Sequence, residues 1–495
     1  MSWVDIPIRY GHAPDLPRTN PDGWRIYNAW PMPGGIGARV KYVAASASAS
    51  VTAAPNGAFE AVSSTGAKKW FVGIPQKIYQ WDGVMNSPGF VDRSGTPYSA
   101  STATTWSFAQ FGDLTFAVNM NNKLQYASAG GFVDAHSVVP KADIVVACGP
   151  STLPFIMLFN YDDGTNVYRD GWFTSPTPNA TWSAAVSAQI VNGRLLVPSG
   201  DITAAEAFRD GVVAFKKNSM FMGEYGDPDA IWTWRTVARA VGCVGKNATC
   251  AAEDVMYFVG PRGFYVFDGS YPKKLPGFVH DEWAAYYVAT VEDRVDDYVF
   301  AVYDSEFSIF TVHVCGPPVD NTYVYSWHFN TISGKWTASR EIAEFASVSQ
   351  PTVLMGARYA TNLVRPMKID ISNTASIPVA TASFQTPRFG SQEDGLHLSG
   401  IWPTFKQGSR YGNAMGPNES ALCSTSVVLY GYNRPHASSA QSASTAVVET
   451  AIGRAYGHVS GNWVDAEFNV TMQVGPEFMW QFEAVGMDVQ GSGKK

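Results

Sequence analysis

The sequence predicts an all-β protein, an irregular β-propeller with a C-terminal β-sandwich or barrel-like platform domain. First, short runs of Val, Ile, Phe, Tyr and Trp alternate with Gly, Asn, Asp and Pro along the chain. Second, turn formers are abundant, with 45 glycines and 30 prolines among 495 residues. Third, a hairpin pattern recurs through the middle of the chain. This length predicts two or three domains, unless a closed β architecture takes most of it.

Six segments share one plan, in which an apolar strand, a polar turn and a second strand follow each other. They are 68–83, 112–127, 210–227, 254–269, 296–314 and 323–337. Their spacing of about 40–60 residues lies in or just above the range of propeller blades. A single hairpin cannot bury both of its faces, whereas radial packing of several hairpins buries the faces and protects the edges. We therefore predict a β-propeller over 66–370.

The rest of the chain divides into an N-terminal and a C-terminal part. Residues 1–65 are predicted to form an extended segment that packs on the platform or on a neighbouring subunit. A boundary near 370–390 precedes separate alternating strands, so 371–495 is predicted as the C-terminal β domain. Helix signals are scarce. The best candidate is 202–215, whose second half we interpret as a strand because Gly211 interrupts it.

The composition indicates a folded protein that does not grip nucleic acid. Hydrophobic residues make up 46% of the chain and charged residues 16%, which excludes a disordered chain. The net charge of −7 argues against tight DNA or RNA binding, which needs a basic stripe. Five scattered cysteines are interpreted as reduced thiols of a protein made in the cytoplasm. No run approaches about 20 apolar residues and no secretion signal is recognisable, so we expect no membrane segment.

The search for motifs predicts no catalytic, cofactor-binding or metal-binding residue. No two of the eight histidines lie at H-x-H or H-E-x-x-H spacing. The sequence contains no G-x-S-x-G nucleophile elbow, no P-loop and no G-x-G-x-x-G motif. We therefore expect a protein that is not an enzyme.

Acidic residues are the remaining catalytic candidates, because propellers can host glycosidases and these need two carboxylates that flank the sugar bond. The candidates are Asp162, Asp163, Asp293, Asp296, Asp297, Glu393 and Asp394. Neighbouring residues on a strand point to opposite faces, so a sequence doublet is not itself a catalytic pair. We interpret these acids as turn residues and solvated edges, with a long-range catalytic constellation as the alternative.

The stretch YFVGPRGFYVFDG at 257–269 contains two residues that could belong to a site, Arg262 and Asp268. A near-copy at 68–83 keeps the aromatic strands and the terminal Asp-Gly but has no arginine in its turn. We therefore interpret the stretch as a blade hairpin that turns at Pro261 between two glycines. Side chains along the two strands are predicted to point alternately to two faces. One face would carry Tyr257, Val259, Tyr265 and Phe267, and the other Phe258, Phe264 and Val266.

Three segments between 160 and 275 carry a resemblance to a known family. They read DGTNVYRDGWFTSPTPNATW at 163–182, ITAAEAFRDGVVAFKKNSMFMGEYGDPDAIWTWRTV at 202–237 and GCVGKNATCAAEDVMYFVGPRGFYVFDGSYPKKL at 242–275. The order is an R-D-x-V-V-A-F-K strand, an S-M-F-M-G-E-Y-G-D-P strand, two tryptophans, a G-x-V-G turn and an aromatic hairpin. In this order the chain resembles the tail nozzle proteins of short-tailed bacteriophages. These are also described as tail tube, tail-hub, head-closure or DNA stabilisation proteins.

The resemblance implies a structural virion protein of the phage tail that is made in the host cytoplasm. It implies a ring of six subunits below the portal, in contact with the adaptor or head–tail connector protein. Double-stranded DNA would pass non-specifically through the central channel, which the ring would enclose and close during genome retention and ejection. Tail fibres or spikes and a plug or needle protein would dock on the ring. An acidic, weakly charged wall suits this role, because neutralising many phosphates would stall the DNA.

Two other functions remain open at the level of the sequence. The first is a carbohydrate-binding or carbohydrate-cleaving propeller, such as a receptor-recognition subunit. The second is a bacterial propeller scaffold that is unrelated to phages.

Overall fold

A computed structural model describes most of the chain. The described residues are 2–32, 35–38, 43–44, 57–81, 90–95, 98, 105–127, 130–176, 182, 189–226, 231–252, 254–291, 299–305, 307–314, 324–341, 345–349, 352–358, 364–368, 382–390, 396–408, 423–449, 454–472 and 479–491. Regular structure in these ranges is almost entirely β-strand, as the sequence predicted.

Five strands come from the first part of the chain and join three different sheets. Their bounds are β1 (Ser2–Pro7), β2 (Arg25–Tyr27), β3 (Ala29–Met32), β4 (Gly35–Ala38) and β5 (Val43–Ala44).

Seven groups of four strands follow within the described ranges, and each group is one blade of a β-propeller. Blade 1 is β6 (Gly57–Val62), β7 (Lys68–Ile74), β8 (Lys77–Trp81) and β9 (Phe90–Asp92). Blade 2 is β10 (Ser107–Phe111), β11 (Leu114–Asn119), β12 (Asn122–Ala127) and β13 (Val133–Asp134). Blade 3 is β14 (Lys141–Cys148), β15 (Phe155–Asp162), β16 (Val167–Ser175) and β17 (Val191–Arg194). Blade 4 is β18 (Ile202–Phe208), β19 (Gly211–Lys216), β20 (Ser219–Tyr225) and β21 (Trp232–Ala238).

The last three blades complete the ring. Blade 5 is β22 (Thr249–Ala252), β23 (Val255–Gly260), β24 (Gly263–Phe267) and β25 (Lys273–Lys274). A short helix α1 (His280–Tyr286) and a π-helical turn (Tyr287–Val291) lead to blade 6, which is β26 (Val299–Asp304), β27 (Ile309–Val314), β28 (Val324–Asn330) and β29 (Trp336–Glu341). Blade 7 is β30 (Phe345–Ser349), β31 (Thr352–Arg358), β32 (Val364–Lys368) and the N-terminal strand β5.

The propeller is a closed ring. The first strand of each blade lies beside the first strand of the next, and β30 of blade 7 lies beside β6 of blade 1. Strand β5 completes blade 7 by pairing antiparallel with β32, at Ala44 opposite Met367 and Val43 opposite Lys368. Strands from both sides of the propeller sequence therefore share one blade, which removes an unpaired edge from the ring.

Aromatic side chains pack between neighbouring blades. The rings of Phe71 in blade 1 and Phe132, which directly precedes β13 of blade 2, lie 5.3 Å apart. Phe215 of blade 4 and Phe258 of blade 5 lie 4.8 Å apart. Pairs of this kind add about 0.5–1.5 kcal/mol beyond the apolar area that they bury. Each blade buries both of its faces against its neighbours, and aromatic side chains fill the space between the blades.

The segment 202–215 forms two strands, so the helical interpretation of its first half is wrong. Residues of β18 pair with β19 from Ile202 opposite Lys216 to Phe208 opposite Gly211. The turn between them uses Arg209 at a φ of 54°. Tertiary packing overrides the helix propensity of the three alanines in this strand, because β18 is the axial strand of blade 4 and lies beside β14 and β22.

The hairpin at 257–269 belongs to blade 5, as its repeat pattern predicted. Gly260 pairs with Gly263 across the two-residue turn. Gly263 has a φ of 137°, and a Cβ there would lie 2.5 Å from Nδ1 of His280, so the position requires glycine. The side chains alternate within each strand, but the register corrects the predicted faces. Phe258 lies opposite Tyr265 and Val259 opposite Phe264, so the two faces are Phe258, Tyr265 and Phe267 against Tyr257, Val259, Phe264 and Val266.

The C-terminal part contains a second set of paired strands. They are β33 (Ala382–Gln385), β34 (Phe389–Gly390), β35 (Leu396–Gly408), β36 (Cys423–Tyr432), β37 (Ser442–Glu449), β38 (Arg454–Gly461), β39 (Trp463–Met472) and β40 (Met479–Gly491). Their order is β33-β39-β36-β37-β38-β35-β40-β4-β3, with β1 also paired to β40. The first four strands of the chain therefore lie among the last strands, and the finer description as a sandwich or barrel-like platform stays a prediction.

Among the described residues, no helix is long and apolar enough to cross a bilayer.

Candidate functional site

The first strands of the blades enclose a cavity at the axis of the propeller. It has a volume of about 510 Å³, within the usual size range of small-molecule sites. First strands of six blades contribute to its wall, and several of their residues are small. Residues that line it include Ala58, Ala109, Val146, Glu206, Lys246, Thr249 and Ala301.

The loop 243–248 lies across the axis and reaches several blades. The backbone N–H of Cys243 donates to the carbonyl of Lys216 in blade 4 over 3.1 Å. The N–H of Ala301 in blade 6 donates to the carbonyl of Asn247 over 2.8 Å. Gly242, which precedes the loop, packs so closely that a Cβ there would lie 1.9 Å from the carbonyl oxygen of Lys216. The G-x-V-G turn of the resemblance is therefore the start of an axial crossing.

Lys246 carries this crossing to the far side of the ring. Its buried ammonium donates to Oδ1 of Asp143 in blade 3 over 2.7 Å and to the carbonyl of Thr105, before blade 2, over 2.9 Å. The side chain of Lys246 is 1% exposed, and that of Asp143 is 25% exposed. A buried ammonium needs such partners, since an unpaired one would be strongly destabilising. Lys246 therefore joins blade 5 to blades 2 and 3 through the axis.

Glu206 is the acidic residue on the described wall of the cavity. It lies on β18, where its Oε2 accepts a hydrogen bond from Oγ1 of Thr249 over 3.2 Å. Enclosure by the wall disfavours the charged form and raises the pKa of Glu206 to about 7, although the bonds from Thr249 and from the Ala207 N–H oppose the shift. A raised pKa favours the protonated carboxyl group, which donates a hydrogen bond, over the carboxylate, which only accepts.

The described wall of the cavity holds one carboxyl group. A glycosidase needs two carboxyl groups about 5–10 Å apart across the sugar. Glu206 is the one carboxyl group among the described residues that line the cavity. The loop 243–248 crosses the axis beside the cavity. The described lining therefore forms a small axial pocket with one carboxyl group, Glu206, and the ammonium group of Lys246.

Arg262 and Asp268, the two candidate site residues of the hairpin at 257–269, are not among the residues that line this cavity. Arg262 is exposed at the tip of the turn. Asp268 accepts a 2.7 Å ion pair from Lys273 and hydrogen bonds from Ser270, and these contacts lower the pKa of its carboxyl group. The backbone carbonyl of Asp268 also accepts a hydrogen bond from Arg209 of blade 4. The contacts of Asp268 lie within its own turn and with the neighbouring Arg209, which agrees with the interpretation as a blade hairpin.

The acidic candidates are not brought together in the described residues. Asp162 ends β15 and pairs with Lys141 at 4.0 Å. Asp163 follows in the turn, where the N–H groups of Thr165 and Asn166 donate to its Oδ1 and lower its pKa. The other candidates lie outside the described residues, namely Asp293, Asp296, Asp297, Glu393 and Asp394.

The N-terminal segment 8–28 connects the propeller to the C-terminal strands. At the propeller, Gly11 forms a β-bridge with Trp336 of blade 6. Nε2 of the buried His12 lies 3.3 Å from Oε2 of Glu282 on α1. The same carboxylate accepts hydrogen bonds from Tyr325 over 3.1 Å and from Trp327 over 3.0 Å. The segment is therefore anchored on blade 6 and on the helix that precedes it.

At the other end, the same segment is anchored by charged groups. Arg18 donates to Oδ2 of Asp465 over 2.8 Å, and Arg388 donates to the same oxygen over 3.0 Å. Asp465 is fully buried on β39. Strand β2 then pairs with β33 of the C-terminal set and touches β29 of blade 6, at Tyr27 opposite Ala338. Propeller and C-terminal strands thus share one connecting segment.

The sequence motifs did not indicate Glu206, Lys246, Glu282 or Asp465. Each of these residues acts with partners that are distant in the chain, and the pair of Arg18 and Asp465 is separated by 447 positions. The one sequence feature that bears on them is the low share of charged residues, because a buried charged residue needs a partner.

Comparisons with known proteins give fold likeness only. No protein-family model and no curated protein matches the sequence. The WD40 domain of Pan2 from Neurospora crassa is 7% identical, covers 66% of this chain and 91% of its own, and has a TM-score of 0.40. BamB from Moraxella catarrhalis is 12% identical, with 74% and 99% coverage and a TM-score of 0.38. The designed protein Ika8 is 10% identical, with 65% and 98% coverage and a TM-score of 0.36. At such scores the propeller assignment rests on the strand pairing of this chain.

Proposed function

We propose that this chain is a structural subunit of a virion tail, the nozzle of a short-tailed bacteriophage. It forms a ring below the portal and adaptor, and it encloses and closes the path of genome DNA. Tail fibres or spikes and a plug or needle protein dock on the ring. The proposal begins from the sequence resemblance, whose segments 202–237 and 242–275 fall on blade 4, the axial crossing and blade 5.

The observation that supports this function best is the coupling of the propeller to the C-terminal strands. The segment 8–28 bonds to blade 6 through Gly11 and to β39 through Arg18. A part of a pressurised conduit must transmit force between its halves without hinging. Two anchors on one segment, partly buried at Glu282 and fully buried at Asp465, support that rigidity, whereas a binding propeller does not require them.

The axial crossing supports a particular place for the DNA. The propeller axis is crossed by 243–248 and tied through Lys246, so a duplex would not run through a single propeller. A conduit made from this chain would instead lie between subunits in a ring. Ring formation by head-to-tail contacts follows closed symmetry, for which the resemblance implies six copies.

Native mass spectrometry of the full chain, alone and mixed with the adaptor protein, tests this proposal. We expect a closed ring of about six subunits in at least the mixed sample. Because such rings can require the capsid vertex for assembly, antibody labelling of intact virions is the second measurement, with the tail as the expected location. Absence of a ring in both samples together with absence of label on the tail would contradict the proposal.

A carbohydrate-binding propeller is the second candidate, and the axial cavity is the observation that favours it. Its volume of about 510 Å³ accommodates a small sugar, and Glu206 and Thr249 offer polar groups. The test is incubation with host surface polysaccharide, followed by binding and chain-length measurements. Binding that Glu206→Gln abolishes and the exposed control Glu224→Gln preserves would favour this function. Shortened polysaccharide would favour an enzyme and contradict the structural role.

A further inference from the structure

Two histidines that are 61 positions apart meet on the C-terminal strands. His397 on β35 and His458 on β38 place Nε2 and Nδ1 at 3.2 Å from each other. Their rings are nearly parallel, with an interplanar angle of 14° and centroids 5.3 Å apart. Both lie at the surface of the sheet, with His458 exposed and His397 partly so. The pair is therefore open to ions from solvent.

The spacing of the two nitrogens fits chelation of one metal ion. Zinc–imidazole bonds measure about 2.0–2.1 Å, and a tetrahedral angle then separates two ligand nitrogens by about 3.3 Å. The observed 3.2 Å is close to this value. The terminal torsion of histidine has a broad energy minimum, so the rings can turn to direct both lone pairs at one ion.

A third side chain is in position to accept a hydrogen bond from the nitrogen of His397 that does not face His458. Oγ of Ser460, which lies opposite His397 in the register, is 2.9 Å from Nδ1 of His397. When Nδ1 carries the proton and donates to this hydroxyl, Nε2 keeps its lone pair free for a metal. Hydrogen bonding to the second nitrogen is the usual way in which proteins orient a metal-binding histidine.

We propose that His397 and His458 form a surface site for a divalent transition-metal ion, with Ser460 as a positioning residue. Imidazole ligands favour Zn²⁺, Cu²⁺ and Ni²⁺ over Mg²⁺ or Ca²⁺. Among the residues that the structure describes, no third histidine, cysteine or acid completes the ligand set. Water or a ligand from a docking protein therefore fills the remaining positions. The ion ties β35 to β38 beside the irregularity at 398–400, where the strand register shifts.

The other close pair of histidines does not offer the same chemistry. The ring centroids of His313 and His328 lie 6.3 Å apart, but both side chains are buried in blade 6. Their ring nitrogens contact the hydroxyl groups of Ser326, Thr311 and Ser339 at 2.7–3.0 Å. Burial and these contacts keep metal ions away, so accessibility distinguishes the surface pair.

Isothermal titration calorimetry of the untagged full chain with ZnCl₂ tests the site. We expect one zinc ion per chain and a loss of affinity of at least tenfold in His397→Gln and in His458→Gln. Ser460→Ala is expected to weaken binding by about tenfold, since outer-shell partners typically contribute 10–100-fold. The matched control is His436→Gln, which removes an exposed histidine outside the pair and should leave binding unchanged.

Two measurements keep the result decisive. Zinc should raise the thermal midpoint of the wild type by mass action and should not raise that of the two histidine variants. Electron paramagnetic resonance of the wild type with one equivalent of Cu²⁺ should show two coupled nitrogens. Unchanged zinc affinity in both histidine variants, or fewer than two nitrogens on copper, would overturn the proposal.

Discussion

The two ends of the N-terminal segment 8–28 are each anchored on a carboxylate, partly buried at Glu282 and fully buried at Asp465, and the partners differ in kind. On the propeller side, Glu282 is held by three hydrogen-bonding rings. On the C-terminal side, Asp465 is held by the guanidinium groups of Arg18 and Arg388. At Glu282, the loss of one donor leaves the hydrogen bonds from the other two in place. At Asp465, the removal of one charge leaves the others uncompensated in a buried place.

The pKa directions follow this difference. Burial pushes the pKa of Glu282 up, but the bonds from His12, Trp327 and Tyr325 outweigh it, so the pKa lies below its ordinary value of 4.5. Burial dominates at Asp465 and raises its pKa, while the two arginines oppose the shift. Burial likewise lowers the pKa of Arg18. At Asp465 the carboxylate and the two guanidinium groups compensate each other's buried charge, whereas the Glu282 carboxylate is stabilised by several separate hydrogen bonds.

The largest effect is expected from Asp465→Asn. The substitution leaves Arg18 and Arg388 buried without a counter-charge. We therefore expect the free energy of unfolding of the C-terminal part to fall by about 3–5 kcal/mol. Thermal unfolding followed by tryptophan fluorescence, with hydrogen exchange of β33 and β39, measures the loss. The control is Asp201→Asn, whose pair with Arg169 is exposed and should contribute below about 1 kcal/mol. Equal losses in the two variants would remove the distinction between the anchors.

A smaller effect, which depends on pH, is expected from Glu282→Gln. The amide keeps one acceptor but loses the charge, so we expect a loss of about 1–3 kcal/mol near neutral pH. Because the folded pKa of Glu282 is lowered, its stabilisation is complete above pH 4.5 and is lost as the pH falls through the folded pKa. The difference between wild type and variant in urea unfolding should therefore shrink in acid. A difference that grows in acid would contradict the assignment.

Glu206→Gln in the axial cavity should act in the opposite direction. The folded pKa of Glu206 is raised to about 7 from 4.5, so its effect on stability is nil below pH 4.5 and becomes unfavourable as the pH rises. We expect variant and wild type to have the same free energy of unfolding at pH 4.5. At pH 8 we expect that of the variant to be higher by about 1–2 kcal/mol. Unfolding at the two pH values measures this, with the exposed Glu224→Gln as control. A variant that is less stable at pH 8 would show that the charged carboxylate is needed.

The smallest effect is expected from the hairpin of blade 5. Asp268 and Arg262 lie at the surface, where solvent screens their charges. Asp268→Asn and Arg262→Ala should therefore leave the thermal midpoint within measurement error. Gly263→Ala in the same turn is the contrasting variant, because its Cβ would clash with His280 at a positive φ. A large change in the two surface variants would reopen the interpretation of the hairpin as a structural unit.

Local patterns predicted the strands and their order well. The hairpins 68–83 and 254–269 each form two neighbouring strands of one blade. The near-copy is shifted by one residue on its first strand, since Ile74 closes the turn with Lys77 where Gly260 closes it with Gly263. The shift follows from one extra residue before the turn of the first hairpin, because Pro75 and Pro261 occupy the same position in their two-residue turns. The helical reading of 202–208 failed because β18 is held by its neighbours on the axis.

The sequence by itself determined the class of fold, because alternating apolar runs and frequent turn residues allow little except paired strands. It also determined where hairpins begin and end, since turn chemistry is local. Tertiary structure alone decided which distant strands meet, such as β5 with β32 and β1 with β40. It likewise decided that Arg18 reaches Asp465 and that His397 reaches His458. Such contacts depend on how the ring closes and on how the N-terminal segment threads back, and no short-range pattern encodes either.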